Sequence, residues 1–248
     1  MKAADARIVL TGASGGIGRA TATTLLLAGA TVMLVGRSPA RLSAQMRELT
    51  QRLDLPSARV SWHAVDLNER AGIARLRDSA WAWGVNTLVL GAGLPGFGRL
   101  ESLDARDIAQ VLHTNLLSPM LLTQALLPHL RSLARAQVVL IGSALGRIGL
   151  PGYSVYSASK FGLRGFAEAL RRELADTGVG VHYLGPRSTR TPFNDDRVEA
   201  YNATTRTATD PPERVAAALL RLLENERAEC FVGFPEAVSY THLRAHET

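Results

Sequence analysis

The sequence predicts an α/β fold, doubly wound, with a mainly seven-stranded parallel sheet and helices on both faces. Three observations carry this prediction. Short, continuous apolar runs of the kind that buried parallel strands require alternate with longer stretches of helical period. The first run passes straight into a glycine loop and then a helix. The runs are also spaced for strand–helix–strand crossovers, which favours one open sheet over separate sheet and helix domains. At 248 residues and 46% hydrophobic the chain can bury one sizeable core, and residues 1–237 are read as a single domain.

Charge and composition narrow the function classes. The net charge is +6, but only Lys2 and Lys160 are lysines, and the arginines are scattered among Asp and Glu. Scattered arginine is a solvated surface and not the contiguous basic face of a nucleic-acid binder, so no nucleic-acid partner is expected. The chain shows no charged-then-apolar leader and no apolar run approaching 18 residues, so no membrane span is expected. A single cysteine, Cys230, allows no internal disulfide and fits a cytoplasmic location.

Taken in order, residues 7–10 (RIVL) form the first strand, which enters Thr11-Gly12-Ala13-Ser14-Gly15-Gly16-Ile17-Gly18. A helix follows from about 17 to 28. Bare amides at a helix start can receive a pyrophosphate, and glycine allows its close approach to the backbone. The second strand, 31–35, ends at Gly36-Arg37-Ser38, where an acid would hold the ribose 2′-hydroxyl of NAD. Gly36 stands there instead. Arg37 and Ser38 suit a 2′-phosphate, which favours NADP(H) over NAD(H). Ser38 can equally cap the helix that Pro39 opens, and the two roles are compatible.

Helical period runs from 40 to 53, and a third strand, 59–65, closes at Asp66-Leu67. Asp66 is either an N-cap for a helix starting near Asn68 or a ligand contact. Trp81 and Trp83 end that helix as packing residues. The fourth strand, 88–90, leads into Gly91-Ala92-Gly93, and Leu94, Pro95 and Phe97 suggest an apolar wall. A helix over about 105–127 holds Asn115 and Pro119. Proline offers no amide to the Asn115 carbonyl, so a kink with a free carbonyl able to hold water is expected there.

Residues 137–141 form the fifth strand, which ends at Ser143, and a helix begins near Tyr153. On it Tyr156 and Lys160 are four residues apart and share one face. A free phenol titrates near ~10. One charge about 4 Å away is worth roughly 4 kcal/mol at an effective dielectric of 20, and one pKa unit is about 1.4 kcal/mol, so Lys160 can lower Tyr156 toward neutrality. Ser143 would face the same point and hold a carbonyl or alcohol oxygen. The pair alone is weak evidence, since a half-buried Tyr beside a snorkelling Lys is a common packing arrangement. Gly162 and Gly165, each costing about 1 kcal/mol inside a helix, call for close packing against a strand or a partner subunit.

The sixth strand, 179–184, is followed by Gly185-Pro186-Arg187-Ser188-Thr189-Arg190-Thr191. The polar segment 193–209 has no strong period, and a lid over about 186–209 is expected. Asp210-Pro211-Pro212-Glu213 reads as a capped start for a helix ending near 224, and 229–234 as the seventh strand. From about 238 the chain changes character. SYTHLRAHET resembles translated sequencing-adapter read-through, so 238–248 is read as a non-native tail, with the native C-terminus and one wall of the pocket expected to be missing. His242 and His246 have metal-like spacing but no companion ligand, and no metal site is expected.

Ser143, Tyr156 and Lys160, behind a Thr-Gly-x-x-x-Gly-x-Gly loop, resemble the classical short-chain dehydrogenase/reductase family over roughly residues 7–234. The resemblance implies a Rossmann-like fold, with Ser143, Tyr156 and Lys160 catalytic and Asn115 supporting a water relay to Lys160. It implies cofactor contacts from Thr11, Gly12, Ser14, Gly16, Ile17 and Gly18. Asp66 and Leu67 would meet the adenine side, and Ala92 and Gly93 would form the cofactor floor. Pro186 and Thr191 would meet the nicotinamide, and Tyr156 and Lys160 its ribose. Homodimers or homotetramers are implied too. The sequence departs from the family at Leu90-Gly91, where Asn-Asn is usual, and at Arg187, where Gly is usual and where a bulky cation is expected to narrow or recharge the cofactor mouth.

The resulting expectation is an NADP(H)-dependent oxidoreductase that interconverts a carbonyl and a secondary alcohol on an apolar small molecule or acyl chain. Leu94, Phe97, Leu145, Ile148, Leu150 and Phe193 would supply the apolar walls. An NADP-binding regulator that turns over nothing is the alternative, to which the departures lend weight.

Overall fold

The computed structural model describes residues 1–233, so Phe234, the segment from 238 and the two histidines of the tail lie outside the described residues. Seven parallel strands form one sheet in the order β3-β2-β1-β4-β5-β6-β7: β1 (Arg7–Thr11), β2 (Thr31–Gly36), β3 (Val60–Ala64), β4 (Thr87–Leu90), β5 (Ala136–Ile141), β6 (Val179–Pro186) and β7 (Glu229–Val232). The central strands are buried on both faces, hence their unbroken apolar runs.

Helices α1 (Gly16–Leu27), α2 (Pro39–Arg52) and α3 (Arg70–Trp83) follow the first three strands. One face of the sheet packs Leu25, Leu42 and Leu219 in a single cluster, and the other packs Leu76, Leu122 and Leu163. These come from α1, α2 and α8 (Pro212–Asn225) on the first side and from α3, α5 (Ser118–Arg131) and α6 (Ser154–Glu173) on the second. The strand order reverses between β1 and β4, which opens a crevice at their carboxyl ends, the usual ligand position in such sheets.

Several expected elements are corrected. The helix read as continuous over 105–127 is α4 (Ala105–Leu112), a π-helical turn (His113–Leu117) and then α5, so the widened turn carries Asn115 and Pro119 sits in the first turn of the next helix. The segment read as aperiodic contains α7 (Asp196–Thr204). Asp66 does not cap α3. That helix starts at Arg70, and the Asp66 carboxylate accepts the Asn68 N–H at 2.9 Å in an Asx turn. Asp210 does not cap α8 either, because Pro211 holds that position and the carboxylate is taken by arginines. A Cβ on Gly162 would lie 2.9 Å from Leu116, so the packing it permits is against the π turn and not a strand, whereas around Gly165 there is open space. Trp81 is exposed and only edges His129.

Candidate active site

The glycine loop leaves β1 and turns at Gly12, whose φ of +69° suits glycine. A Cβ there would come within 2.6 Å of the Gly91 carbonyl oxygen, and one on Gly18 within 2.2 Å of the Gly12 carbonyl oxygen. The first contact brings the loops after β1 and β4 together across the switch point. The second seats α1 on the loop. At the start of α1, Gly15 provides no side-chain cap, so the first amides of the helix have no side-chain partner and form an anion cradle. Thr191 lies directly over Gly16, where a Cβ would meet its methyl at 2.3 Å. Ser14 sits beside Gly36, and beyond it Arg37 is exposed at the end of β2. The Ser38 hydroxyl accepts the Arg41 N–H at 3.3 Å, so it does cap α2.

The loop after β4 shows how the chain manages without Asn-Asn. Leu90 is simply core. A Cβ on Gly91 would be 2.9 Å from Ile141, and the Thr11 hydroxyl accepts both the Gly91 N–H (3.0 Å) and the Ala92 N–H (3.2 Å). Asn115 then fixes the next residue, accepting the Leu94 N–H at 2.7 Å and donating to the Leu94 carbonyl at 3.0 Å. Its amide also donates to Ser159 Oγ at 3.2 Å, and that hydroxyl donates to the Tyr156 carbonyl at 2.6 Å. Asn115 therefore ties the floor of the crevice to the helix that carries Tyr156 and Lys160. Gly93 faces the same group, 3.3 Å from Asn115 Oδ1 and 3.9 Å from Lys160 Nζ by its virtual Cβ.

Ser143 stands at the end of β5, and its hydroxyl oxygen accepts the Leu145 N–H at 3.0 Å. That bond leaves the hydroxyl hydrogen to be donated elsewhere, and the Ser143 hydroxyl is a hydrogen-bond partner of Tyr156. Lys160 is 4% exposed. Its ammonium donates to the Ile141 carbonyl at 3.3 Å and lies 5.5 Å from the centre of the Tyr156 ring. The three groups lie together at the ends of β5 and α6.

Their electrostatics do not follow the expectation. Burial pushes the Tyr156 phenol well above the usual tyrosine range, and the Ser143 hydrogen bond only partly offsets it. Burial lowers Lys160 to about 8. Desolvation disfavours the charged form of each group, so it moves an acid up and a base down.

Arg187 is corrected as well. Its guanidinium is 10% exposed and binds the Asp210 carboxylate through two bonds, 3.0 and 2.9 Å, so its charge is paired with a buried carboxylate. Asp210 is 2% exposed and also takes Arg214 at 2.8 Å. Burial raises its pKa, yet the bonds and charges of the two arginines prevail and hold it below the usual aspartate range.

Some residues near the site were not singled out from the sequence. Tyr153 and Tyr201 join Phe97 in a set of mutual ring contacts, with centroids 4.8, 5.3 and 5.7 Å apart, and Tyr153 and Phe193 flank Tyr156 at 6.3 and 6.2 Å. Tyr153, three residues before Tyr156 on a helical face, was recoverable from spacing; Tyr201, on the unread α7, was not. Gln45 donates to the Ala13 carbonyl at 3.0 Å and steadies the glycine loop. No group of three or more His, Cys, Asp or Glu able to hold a metal occurs among the described residues, and Cys230 is a free thiol. No helix of the described residues is long and apolar enough to cross a membrane.

The sequence profile described as short chain dehydrogenase matches residues 6–202. Dehydrogenase/reductase SDR family member 7B of Xenopus tropicalis is 28% identical over 239 residues, covering 92% of this chain and 77% of the relative. An NADP-dependent 3-hydroxy acid dehydrogenase of Schizosaccharomyces pombe is 28% identical over 220 residues, covering 86% and 85%. Among solved structures, actinorhodin polyketide ketoreductase with NADPH superimposes with a TM-score of 0.81 at 26% identity, covering 94% of this chain and 97% of that one.

Proposed function

The chain belongs to the short-chain dehydrogenase family of oxidoreductases, and from that premise we propose that it is an NADP(H)-dependent enzyme interconverting a carbonyl and a secondary alcohol on an apolar small molecule or acyl chain. The observation that carries the proposal is the convergence of the Ser143 hydroxyl, the Tyr156 phenol and the Lys160 ammonium beside the glycine cradle. The cradle suits a dinucleotide: uncapped amides at the start of α1 would hold the pyrophosphate, Gly12 and Gly18 leave no room for side chains, and Arg37 would take a 2′-phosphate. Two of the similar proteins are named with NADP or NADPH, which supports the same preference.

When bound, the nicotinamide cofactor supplies the hydride. The protein governs the oxygen. Ser143, its acceptor side held by the Leu145 amide, donates to the carbonyl oxygen and orients it. In reduction Tyr156 delivers a proton from its phenol to that oxygen, as general acid. A phenol kept neutral by burial has that proton available. Lys160, 5.5 Å from the ring centre, would hold a ribose hydroxyl of the cofactor, while Asn115, fixed on Leu94 and Ser159, would shape the path by which water returns a proton toward Lys160. Phe97, Tyr153, Phe193 and Tyr201 form the wall nearest Tyr156 and exclude water from the substrate.

The test is loss of nicotinamide absorbance with apolar ketones and aldehydes, comparing NADPH with NADH and wild type with Tyr156→Phe. Turnover that prefers NADPH and falls by about 10²–10⁴-fold in the variant, the usual worth of a general acid, is expected. Equal turnover with NADH would remove the cofactor preference, and an active phenylalanine variant would remove the proton-transfer role.

A further inference from the structure

We infer that Tyr183, a β6 residue, is the positioning residue for Ser143 and holds it in register for the reaction. This inference deepens the proposed function and rests on it. The phenol of Tyr183 accepts the Ser143 N–H at 3.0 Å and donates to the Ser143 carbonyl at 3.0 Å. One hydroxyl thus meets both backbone polar groups of the residue that is to orient the substrate oxygen, and the carbonyl also accepts the Gly146 N–H at 3.0 Å. With its own Oγ fixed by the Leu145 amide, Ser143 is tethered at three polar atoms.

The need for the tether follows from where the sheet ladder stops. The pairing of β5 and β6 ends at Ile141 and Leu184, and the last rung is the Gly142 N–H bonding the Leu184 carbonyl at 2.7 Å. In a parallel ladder the next rung would come from residue 186 to the Gly142 carbonyl. That residue is Pro186, which has no N–H. Ser143 therefore emerges one residue past the last possible strand bond, buried at 8% exposure, with a donor and an acceptor that no strand can satisfy. Tyr183 reaches across from the neighbouring strand and bonds the backbone of Ser143, the first residue past the end of that ladder.

The surroundings are cut to admit it. A Cβ on Gly142 would fall 2.1 Å from the Tyr183 ring and hydroxyl, and a Cβ on Gly146 2.2 Å from that hydroxyl. Two glycines on either side of Ser143 leave a slot that a phenol fills, and the residue is fully buried at 0%. Phe231 packs on the ring at 5.9 Å. Burial raises the phenol to about 12, against the opposing pull of its bond to the Ser143 backbone, so it stays neutral and keeps the proton that it donates.

The experiment is a double-mutant cycle with Tyr183→Phe and Ser143→Ala, reading kcat and NADPH affinity. Phenylalanine keeps the ring and removes only the hydroxyl. Alone it is expected to lower kcat about 10-fold, within the range of coupling between residues in contact, and to leave NADPH affinity within about 2-fold. In the Ser143→Ala background the same change should cost less than about 2-fold, because the side chain being positioned is gone. Equal losses in both backgrounds would overturn the inference, since they would mean a general structural effect. A second reading needs neither turnover nor a folded variant: in the wild-type protein the Ser143 amide should exchange its hydrogen as slowly as the β5 amides. Fast exchange there would also overturn the inference. Absence of turnover by wild type with every carbonyl would fail the functional reading instead, and the amide exchange would still decide the clamp.

Discussion

Replacing Lys160 with methionine should make the folded protein more stable at neutral pH while abolishing turnover. Methionine matches the length of the buried stem and carries no charge. Burial is what lowers Lys160, from 10.5 to about 8, and that difference, at about 1.4 kcal/mol per pH unit, is an energetic cost of about 3 kcal/mol. The sign follows from proton binding. Between about pH 8 and 10.5 the unfolded lysine holds a proton that the folded one has released, so wild-type stability rises with pH in that window. The penalty is complete below about 8 and gone above 10.5. The loss of the bond to the Ile141 carbonyl takes back about 1 kcal/mol at every pH. Urea unfolding of both proteins should show the variant's advantage to be larger at pH 7 than at pH 10.5 by about 3 kcal/mol, which for a chain of this size is ~6–12 °C in Tm. An advantage that does not change with pH would refute the claim that the buried charge is what the site maintains against stability.

Two further expectations concern the rim of the site. Arg187→Met should destabilise the protein by about 3 kcal/mol, the lower end for a broken buried pair, because Arg214 remains on Asp210; since the arginines lower the Asp210 pKa, this loss should be full above the ordinary aspartate range and shrink as pH falls through the lowered value, as urea titrations at pH 7 and pH 3 would show. Tyr201→Ala removes two ring contacts worth about 0.5–1.5 kcal/mol each, and should raise KM for a bulky apolar ketone about 5–10-fold with kcat within about 2-fold; a fall in kcat at constant KM would place Tyr201 in the chemistry rather than in the substrate wall.

The strands were legible because a parallel strand buried on both faces needs an unbroken apolar run, and RIVL, VMLV and VVLI are such runs. The glycine loop, Ser143, Tyr156 and Lys160 were legible because their spacing is set by one strand–turn–helix geometry each. Helix α7 was not, since only Val198 and Asn202 on it are buried and two positions make no period. The π turn inserts its irregularity without any composition signal, and Pro119 pointed to a disturbance without giving its form. Arg187 and Asp210 lie 23 residues apart, and nothing local reveals such a pair. The direction of the Tyr156 pKa was missed because spacing gives the distance to Lys160 but not the burial of both, and burial decides.

The departures from the usual family pattern have one physical character. At each, a polar role that one side chain would fill locally is taken by a residue brought in by the fold. Thr11, on β1, takes the two loop amides after β4, so Leu90 is free to join the core and Gly91 to lie against Ile141. Asp210 pairs with the Arg187 guanidinium and balances its charge. Beyond those departures, the Tyr183 hydroxyl holds both backbone groups of Ser143 where the β5–β6 ladder has ended. A chain that only bound a nucleotide would need the glycine cradle and Arg37, and would have no use for a tether on Ser143. That tether serves the residue proposed to orient the carbonyl oxygen, so it favours turnover over binding alone. The catalytic groups should accordingly fail together: loss of the Tyr183 hydroxyl should be felt at Ser143 and not at the cradle, and NADPH affinity is the measurement that keeps the two apart.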